Sequence, residues 1–218
     1  MHNIKNVFFD LDGTLINSIY DLHDSVNYIL NKYGYKERSL EEVNSFVGNG
    51  LKKLLFLSLP EKRDDFDLIY NEFKAYYFTH CLIKTKPYNG ITEVLKKLKS
   101  KGIKLAVITN KPQNAAQEIC DTLFNGIFDA VTGEKEGIAR KPEPKMVEIT
   151  LKKLNAQKSE TLYVGDSEVD VLTGKNAGLK VLSVSYGFRD KIFLKNNGAG
   201  DIVDNTVDIY GFVVNFGG

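Results

Sequence analysis

Five short apolar runs recur between stretches of helical periodicity: Val7-Phe8-Phe9, Leu105-Ala106-Val107-Ile108, Phe128-Asp129-Ala130-Val131, Leu162-Tyr163-Val164 and Val181-Leu182-Ser183-Val184. Runs this apolar belong to strands covered on both faces, and strands that alternate with helices assemble parallel sheets from βαβ units. The spacing predicts helices over 91–101, closed by Gly102, over 113–123, and from about Pro144 to Leu154, where Pro144 suits a first helical turn.

The segment 15–86 reads differently. It carries helix-period patterns around Leu22-Val26-Ile29-Leu30-Tyr33 and Leu51-Leu54-Leu55, then an aromatic stretch from Phe66 to Phe78, with no convincing strand. The expected fold class is therefore α/β: a Rossmann-like parallel-sheet core of three α/β/α layers, formed by 1–14 and 87–218, with 15–86 inserted as a helical domain. The edges of the insert, near Leu15 and Tyr88, are expected to lie together and to act as hinges.

In an open parallel sheet, functional residues collect at the carboxyl ends of the strands. The first run ends in Asp10-Leu11-Asp12-Gly13-Thr14, the second in Thr109-Asn110-Lys111 and the fourth in Gly165-Asp166-Ser167-Glu168-Val169-Asp170, while Lys141-Pro142-Glu143-Pro144 precedes a predicted helix. Side chains at i and i+2 share a face of a strand, so Asp10 and Asp12 can point into one small volume, where one acid can attack while the other manages protons. Asp166 and Asp170 would repel that pair unless a cation neutralised them, and an all-oxygen set suits Mg²⁺. Thr109 offers a hydroxyl, backbone N–H groups around Asn110 can open towards a phosphate, and Lys141 supplies a fixed cation. Each residue also has an ordinary reading: a turn for Asp10, Asp12 and Asp166, a helix N-cap for Thr109 or Ser167, a solvated loop for Lys141. Their joint position at strand ends favours phosphoryl-transfer chemistry.

Bulk properties exclude other classes. Lys+Arg number 29 against 28 Asp+Glu, a net charge of +1, so no global field points to nucleic acid or membrane surfaces. The paired lysines 52–53, 96–97 and 152–153 are expected on solvated helix faces. Cys81 and Cys120 are too few and too far apart for a disulfide framework or a zinc motif, and read as reduced thiols. The polar run 1–6 lacks a secretory apolar region, and no window reaches membrane-spanning length, so a cytoplasmic location is expected.

The four motifs, in order and across nearly the whole chain, resemble those of the haloacid dehalogenase superfamily of phosphohydrolases: Asp10-Leu11-Asp12-Gly13-Thr14 the first, Thr109-Asn110-Lys111 the second, Lys141 the third, and Gly165-Asp166-Ser167-Glu168-Val169-Asp170 the fourth. The segment 15–86 is similar to the helical cap that many members insert after the first motif. The resemblance implies that Asp10 is the nucleophile and forms an aspartyl-phosphate, while Asp12 protonates the leaving oxygen and then activates water. It implies Mg²⁺ held by the Asp10 carboxylate, the Asp12 carbonyl and Asp166, with Asp170 as a ligand or a support, and a phosphoryl group bound by Thr109, Lys141 and the amides of Leu11 and Asn110. Members that cleave carbon–halogen bonds do without the second acid and the metal, so Asp12 favours phosphate chemistry.

The segment Phe46-Val47-Gly48-Asn49-Gly50-Leu51-Lys52-Lys53-Leu54-Leu55 resembles the Gly-x-Gly cap segment of phosphoglycolate phosphatases. Gly48, Asn49 and Gly50 would let a carboxylate approach free N–H groups, with charge from Lys52 or Lys53; a plain glycine turn before an amphipathic helix is the competing reading. Asn17-Ser18 stands where close relatives often have Asp-Ser. The expected partner is a small phosphorylated metabolite, first of all 2-phosphoglycolate, acted on by a monomer or homodimer. A sugar-phosphate mutase similar to β-phosphoglucomutase, a pyrophosphatase and a broad sugar phosphatase share the motifs, and a receiver-like signalling domain shares the acids, Thr and Lys but neither the insert nor Asp12-Gly13-Thr14.

Overall fold

The computed structural model describes residues 4–216; positions 1–3 of the polar N-terminal run, and 217–218, lie outside the described residues. Six strands form one parallel sheet: β1 (Asn6–Phe9), β4 (Lys104–Pro112), β5 (Ala130–Glu134), β6 (Thr161–Gly165), β7 (Lys180–Val184) and β8 (Asp201–Val203), in the order β5-β4-β1-β6-β7-β8. The first strand in the sequence is thus central, with Asn6 opposite both Lys104 and Thr161.

Side-chain alternation along these strands sorts the core into two layers. Val7, Phe9, Leu105, Val107, Leu162 and Val164 share one apolar cluster, while Phe8, Ala106, Ile108 and Tyr163 belong to the other. Helices α5 (Ile91–Ser100), α6 (Gln113–Leu123) and α10 (Thr206–Val214) supply buried residues to the first cluster; α7 (Lys145–Leu154) packs Met146, Val147, Leu151 and Leu154 into the second, where α8 (Glu168–Ala177) adds Ala177. Both faces are therefore covered, which is why the central strands read as unbroken apolar runs.

Between β1 and α5 the chain makes α1 (Ile19–Lys32), α2 (Leu40–Phe46), α3 (Leu51–Ser58) and α4 (Phe66–His80), entered and left through a two-residue antiparallel pair, β2 (Ile16–Asn17) with β3 (Lys86–Pro87). Tyr88 N–H donates to Leu15 O at 3.0 Å beside that pair. Asp21, buried near the start of α1, accepts from the N–H groups of Lys84 and Thr85 and from Thr85 Oγ1 at 2.7 Å, which ties the returning chain to the outgoing helix. A capping box, Ser39 with Glu42, starts α2.

Several elements depart from the sequence reading. β5 begins at Ala130 instead of Phe128, because the Asp129 carboxylate accepts the Leu105 N–H at 2.8 Å and Phe128 turns edge-on to Phe124. Pro144 is the N-cap of α7, one residue before its first turn. The edge strand β8, the short helix α9 (Lys191–Asn196) and α10 lie in a stretch for which the apolar spacing predicted nothing. Among the described residues, no helix is long and apolar enough to cross a membrane. The paired lysines 52–53, 96–97 and 152–153 are all exposed.

Candidate active site

β1 delivers Asp10 one residue past its end, and the chain then turns sharply: Leu11 O accepts the N–H groups of Thr14, Leu15 and Ile16 at 3.3, 2.9 and 3.1 Å. Gly13 makes the turn with φ +85°, a conformation that strains other residues. A side chain on Gly13 or on Gly187 would also strike the Asp166 carboxylate, so two glycines clear the space around one acid. Asp10 and Asp12 open onto the same small cavity of about 40 Å³, walled by Thr109, Asn110 and Lys111 and roofed by Gly48, Gly50 and Leu51.

The two acids nevertheless have different partners. Lys141 Nζ lies 2.8 Å from Asp10 Oδ1 and 2.8 Å from Asp170 Oδ1, at a side-chain exposure of only 2%. Its approach to Asp10 is an ion pair off the line of a hydrogen bond, so Asp10 Oδ1 is buried without an aligned donor. Asp12 instead meets Lys111, whose Nζ donates to Asp12 Oδ1 at 2.7 Å, and the Ser18 hydroxyl donates to the same oxygen. The Lys111 ammonium also stands 5.0 Å from the Tyr77 ring centre.

Asp166 accepts from Thr14 Oγ1 at 3.1 Å and from the Phe188 N–H at 2.8 Å. Asp170 is the third residue of α8 and completes a capping box with Ser167, accepting its N–H and, at 2.6 Å, its hydroxyl; the N-cap reading of Ser167 and the site reading of Asp170 therefore hold together. One oxygen each from Asp10, Asp166 and Asp170 lies within 4.8 Å of the others. The Asp12 side chain turns to Lys111 instead of joining this group, so its place in the expected ligand set rests on its carbonyl.

Electrostatics mark the cluster. Burial, opposed by Lys141 and reinforced by Asp170, pushes the Asp10 carboxyl up from the usual 3.8 to about 7. Burial, then Asp170 and Asp10, holds the Asp166 carboxyl well above the ordinary range. Burial works against the charge on Lys141 and Lys111, but the facing carboxylates outweigh it and raise both lysines. Three carboxyl groups meet here while the one ammonium among them, Lys141, is shared by Asp10 and Asp170 alone, so full ionisation of all three in this low-dielectric place needs further positive charge. With one Asp10 oxygen lacking an aligned donor, this all-oxygen set fits a small hard divalent cation.

Thr109 is buried beside the cavity and its Oγ1 accepts the Lys111 N–H at 3.1 Å; α6 starts only at Gln113. Asn110 acts through its side chain, donating to Gly48 O and to Lys141 O at 3.1 Å each and accepting the Lys141 N–H at 2.9 Å. It thereby ties the loop before α3 to the loop that carries Lys141. Asn49 and Lys52 line a neighbouring, more open hollow with Lys53, Phe56, Phe66, Arg140 and Lys141, and Lys52 is paired at 2.7 Å with Asp67. Sequence reasoning gave no role in the site to Lys111 or Ser18. Lys111 stood inside the second motif, and its position at a buried strand end was the signal available.

The family model described as Haloacid dehalogenase-like hydrolase matches residues 7–184. The chain is 35% identical over 187 residues to a phosphoglycolate phosphatase of Aquifex aeolicus, covering 85% of this chain and 86% of the relative. It is 35% identical over 208 residues to one of Pseudomonas fluorescens, covering 91% and 76%. A crystal structure of a candidate phosphoglycolate phosphatase from Lactobacillus delbrueckii subsp. bulgaricus superposes with a TM-score of 0.92 at 32% identity, covering 98% of this chain and 99% of that one. With a family model spanning all four motifs and relatives matched over most of their length, the chain belongs to the haloacid dehalogenase-like hydrolases and is an enzyme of their phosphatase type.

Proposed function

We propose that the protein is a Mg²⁺-dependent phosphatase that hydrolyses a small phosphomonoester through an aspartyl-phosphate on Asp10, with 2-phosphoglycolate as the leading substrate. The observation that carries this reading is the division of labour in the site: two acids open onto one cavity, each tied to a different buried lysine.

In this reading a carboxylate oxygen of Asp10 forms a bond to phosphorus while the ester P–O bond breaks, and Asp12 gives its proton to the departing alkoxide. In the second step Asp12 takes a proton from water as that water attacks the aspartyl-phosphate, which frees inorganic phosphate and restores both acids. Lys141, the Thr109 hydroxyl and the backbone amides of Leu11 and Asn110 hold the phosphoryl oxygens, and Lys111 with Ser18 fixes the Asp12 carboxylate. Asp10, the Asp12 carbonyl and Asp166 would hold the cation, with Asp170 orienting Lys141 beside them. When bound, Mg²⁺ supplies the positive charge that keeps Asp10 ionised and offsets charge on the phosphoryl group.

The helices of 15–86 serve as the cap in this proposal, and Gly48-Asn49-Gly50 as its contact with the substrate. Two observations support a small acid as substrate: the roofed cavity is only about 40 Å³, and the relatives matched at 35% identity are named phosphoglycolate phosphatases. The test is phosphate release, with Mg²⁺ and with EDTA, from 2-phosphoglycolate, p-nitrophenyl phosphate, hexose phosphates and pyrophosphate. Release dependent on Mg²⁺ and greatest for 2-phosphoglycolate is expected. Equal rates on everything would leave a general phosphatase, and isomerised sugar phosphate without free phosphate would make the protein a mutase.

A further inference from the structure

The loop 185–190 that follows β7 touches both sides of the site. Its Phe188 N–H donates to Asp166 Oδ2 at 2.8 Å. The next side chain reaches the other way: Arg189 Nη1 donates to Asn44 O at 2.9 Å, and Nη2 to Val47 O at 3.0 Å and Ser45 O at 3.3 Å. Asn44 answers by donating its Nδ2 to Phe188 O at 3.2 Å.

The carbonyls that Arg189 collects belong to the last turn of α2 and its C-cap, where a helix leaves oxygens without intrahelical partners and presents the negative end of its dipole. A guanidinium suits them because its planar donors reach several acceptors at once. The Arg189 side chain is only 11% exposed and is backed by Glu168 of α8, with Nε 3.5 Å from Oε2. So an almost buried charge from the sheet side is committed to backbone oxygens of the helical insert. Directly after Val47 come Gly48, Asn49 and Gly50, and Asn110 holds Gly48 O from the opposite side. The chain entering the roof of the cavity is thus held from two sides, at Val47 and Gly48, by residues of the sheet edge.

We propose that Arg189 is a positioning residue for turnover: it fastens the end of α2 to the loop 185–190, keeps the Gly48-Asn49-Gly50 turn seated over the acid cluster, and through Phe188 makes that seating depend on the state of Asp166. The inference rests on reading 15–86 as a cap over a Mg²⁺-dependent phosphatase site.

Hydrogen–deuterium exchange of the full chain, with Mg²⁺ and with EDTA, tests it beside kinetics on 2-phosphoglycolate. In the wild type, Mg²⁺ slows exchange across 185–190 and across 44–51. In Arg189→Met, exchange across 44–51 rises about tenfold and no longer responds to Mg²⁺, while 185–190 still responds and β1 and β6 stay protected. The same variant loses about tenfold in kcat/KM, mainly through KM, and Arg189→Lys falls between the two. An unchanged Mg²⁺ response of 44–51 in Arg189→Met overturns the proposal. Should β1 and β6 lose protection in that variant, Arg189→Lys, which keeps the charge facing Glu168 but not the fork of donors, takes its place, and an unaltered 44–51 response there is equally fatal. A wild type that releases phosphate with Mg²⁺ while 44–51 ignores the ion refutes the coupling alone; one with neither response refutes the phosphatase reading as well.

Discussion

The sheet edge and the helical insert use the same charged residue types under opposite conditions. At the sheet edge Asp10, Asp166, Asp170 and Lys141 are 8%, 1%, 0% and 4% exposed, and each faces another ion. In the insert, Lys52 with Asp67, Lys32 with Glu72 and Lys84 with Asp24 pair on the surface, where water competes for each of these charges. Removing one member of a buried pair strands its partner, at a cost of about 3–5 kcal/mol, whereas an exposed pair contributes about 0–1 kcal/mol. The carboxyl groups whose pKa values burial raises stand at the sheet edge, and the insert can change its surface pairs at little cost.

The comparison can be broken first at Asp10. Asp10→Asn keeps the shape but removes the nucleophile, and phosphate release should fall by a factor on the order of 10⁴ or more; turnover within tenfold of wild type would move the chemistry elsewhere. Asp12→Ala should cost about 10²–10⁴ in kcat with an unchanged circular dichroism spectrum. A similar loss from an alanine in the insert's surface pairs would erase the contrast.

Stability sharpens it further. Lys111→Met leaves the part-buried Asp12 beside no cation, and urea unfolding should show a loss of up to about 3–5 kcal/mol. A pH series in EDTA probes the same edge. Folded Asp10 keeps its proton up to about 7, whereas the unfolded chain releases it near 3.8. Between those values the folded state binds more protons, so this group makes stability fall as pH rises from 4 to 7, by a few kcal/mol, with no further loss above. The difference between wild type and Asp10→Asn isolates that slope; Mg²⁺ should flatten it, and a slope of the opposite sign would contradict the burial of this carboxyl. Lys52→Met, at the small end, should shift unfolding by no more than about 1 kcal/mol, since its pair with Asp67 is exposed.

What the sequence made legible follows the same division. β1, β4, β6 and β7 are buried on both faces and announce themselves as apolar runs; β8 is a half-buried edge, Asp201-Ile202-Val203, with too little pattern to read. Asp10, Asp12, Thr109, Lys141, Asp166 and Asp170 were legible because each belongs to a short motif that follows an apolar run or precedes a predicted helix, although Thr109 lies within β4 and Asp170 in the first turn of α8. Lys111 and Arg189 were not, for a lysine or arginine in isolation reads as solvated. Only the arrival of Asp12 from 99 positions away, and of the α2 carbonyls from 142 to 145 away, turns them into buried ions. The capping box of Ser167 and Asp170 shows the converse, a local motif readable as a cap whose second carboxylate oxygen is free to serve the site.

The central place of β1 bears on how the protein is born. Asp10 leaves the ribosome well before Lys104–Val107 and Thr161–Val164, the two segments with which its strand pairs. At usual rates of synthesis the Phe8-Phe9 segment waits roughly ten to thirty seconds for its second neighbour. During that interval it is an apolar strand with two open edges, a natural client for chaperones and a seed for aggregation. Nascent chains halted short of β6 should therefore be inert and adhesive, and both properties should change together once that strand has emerged.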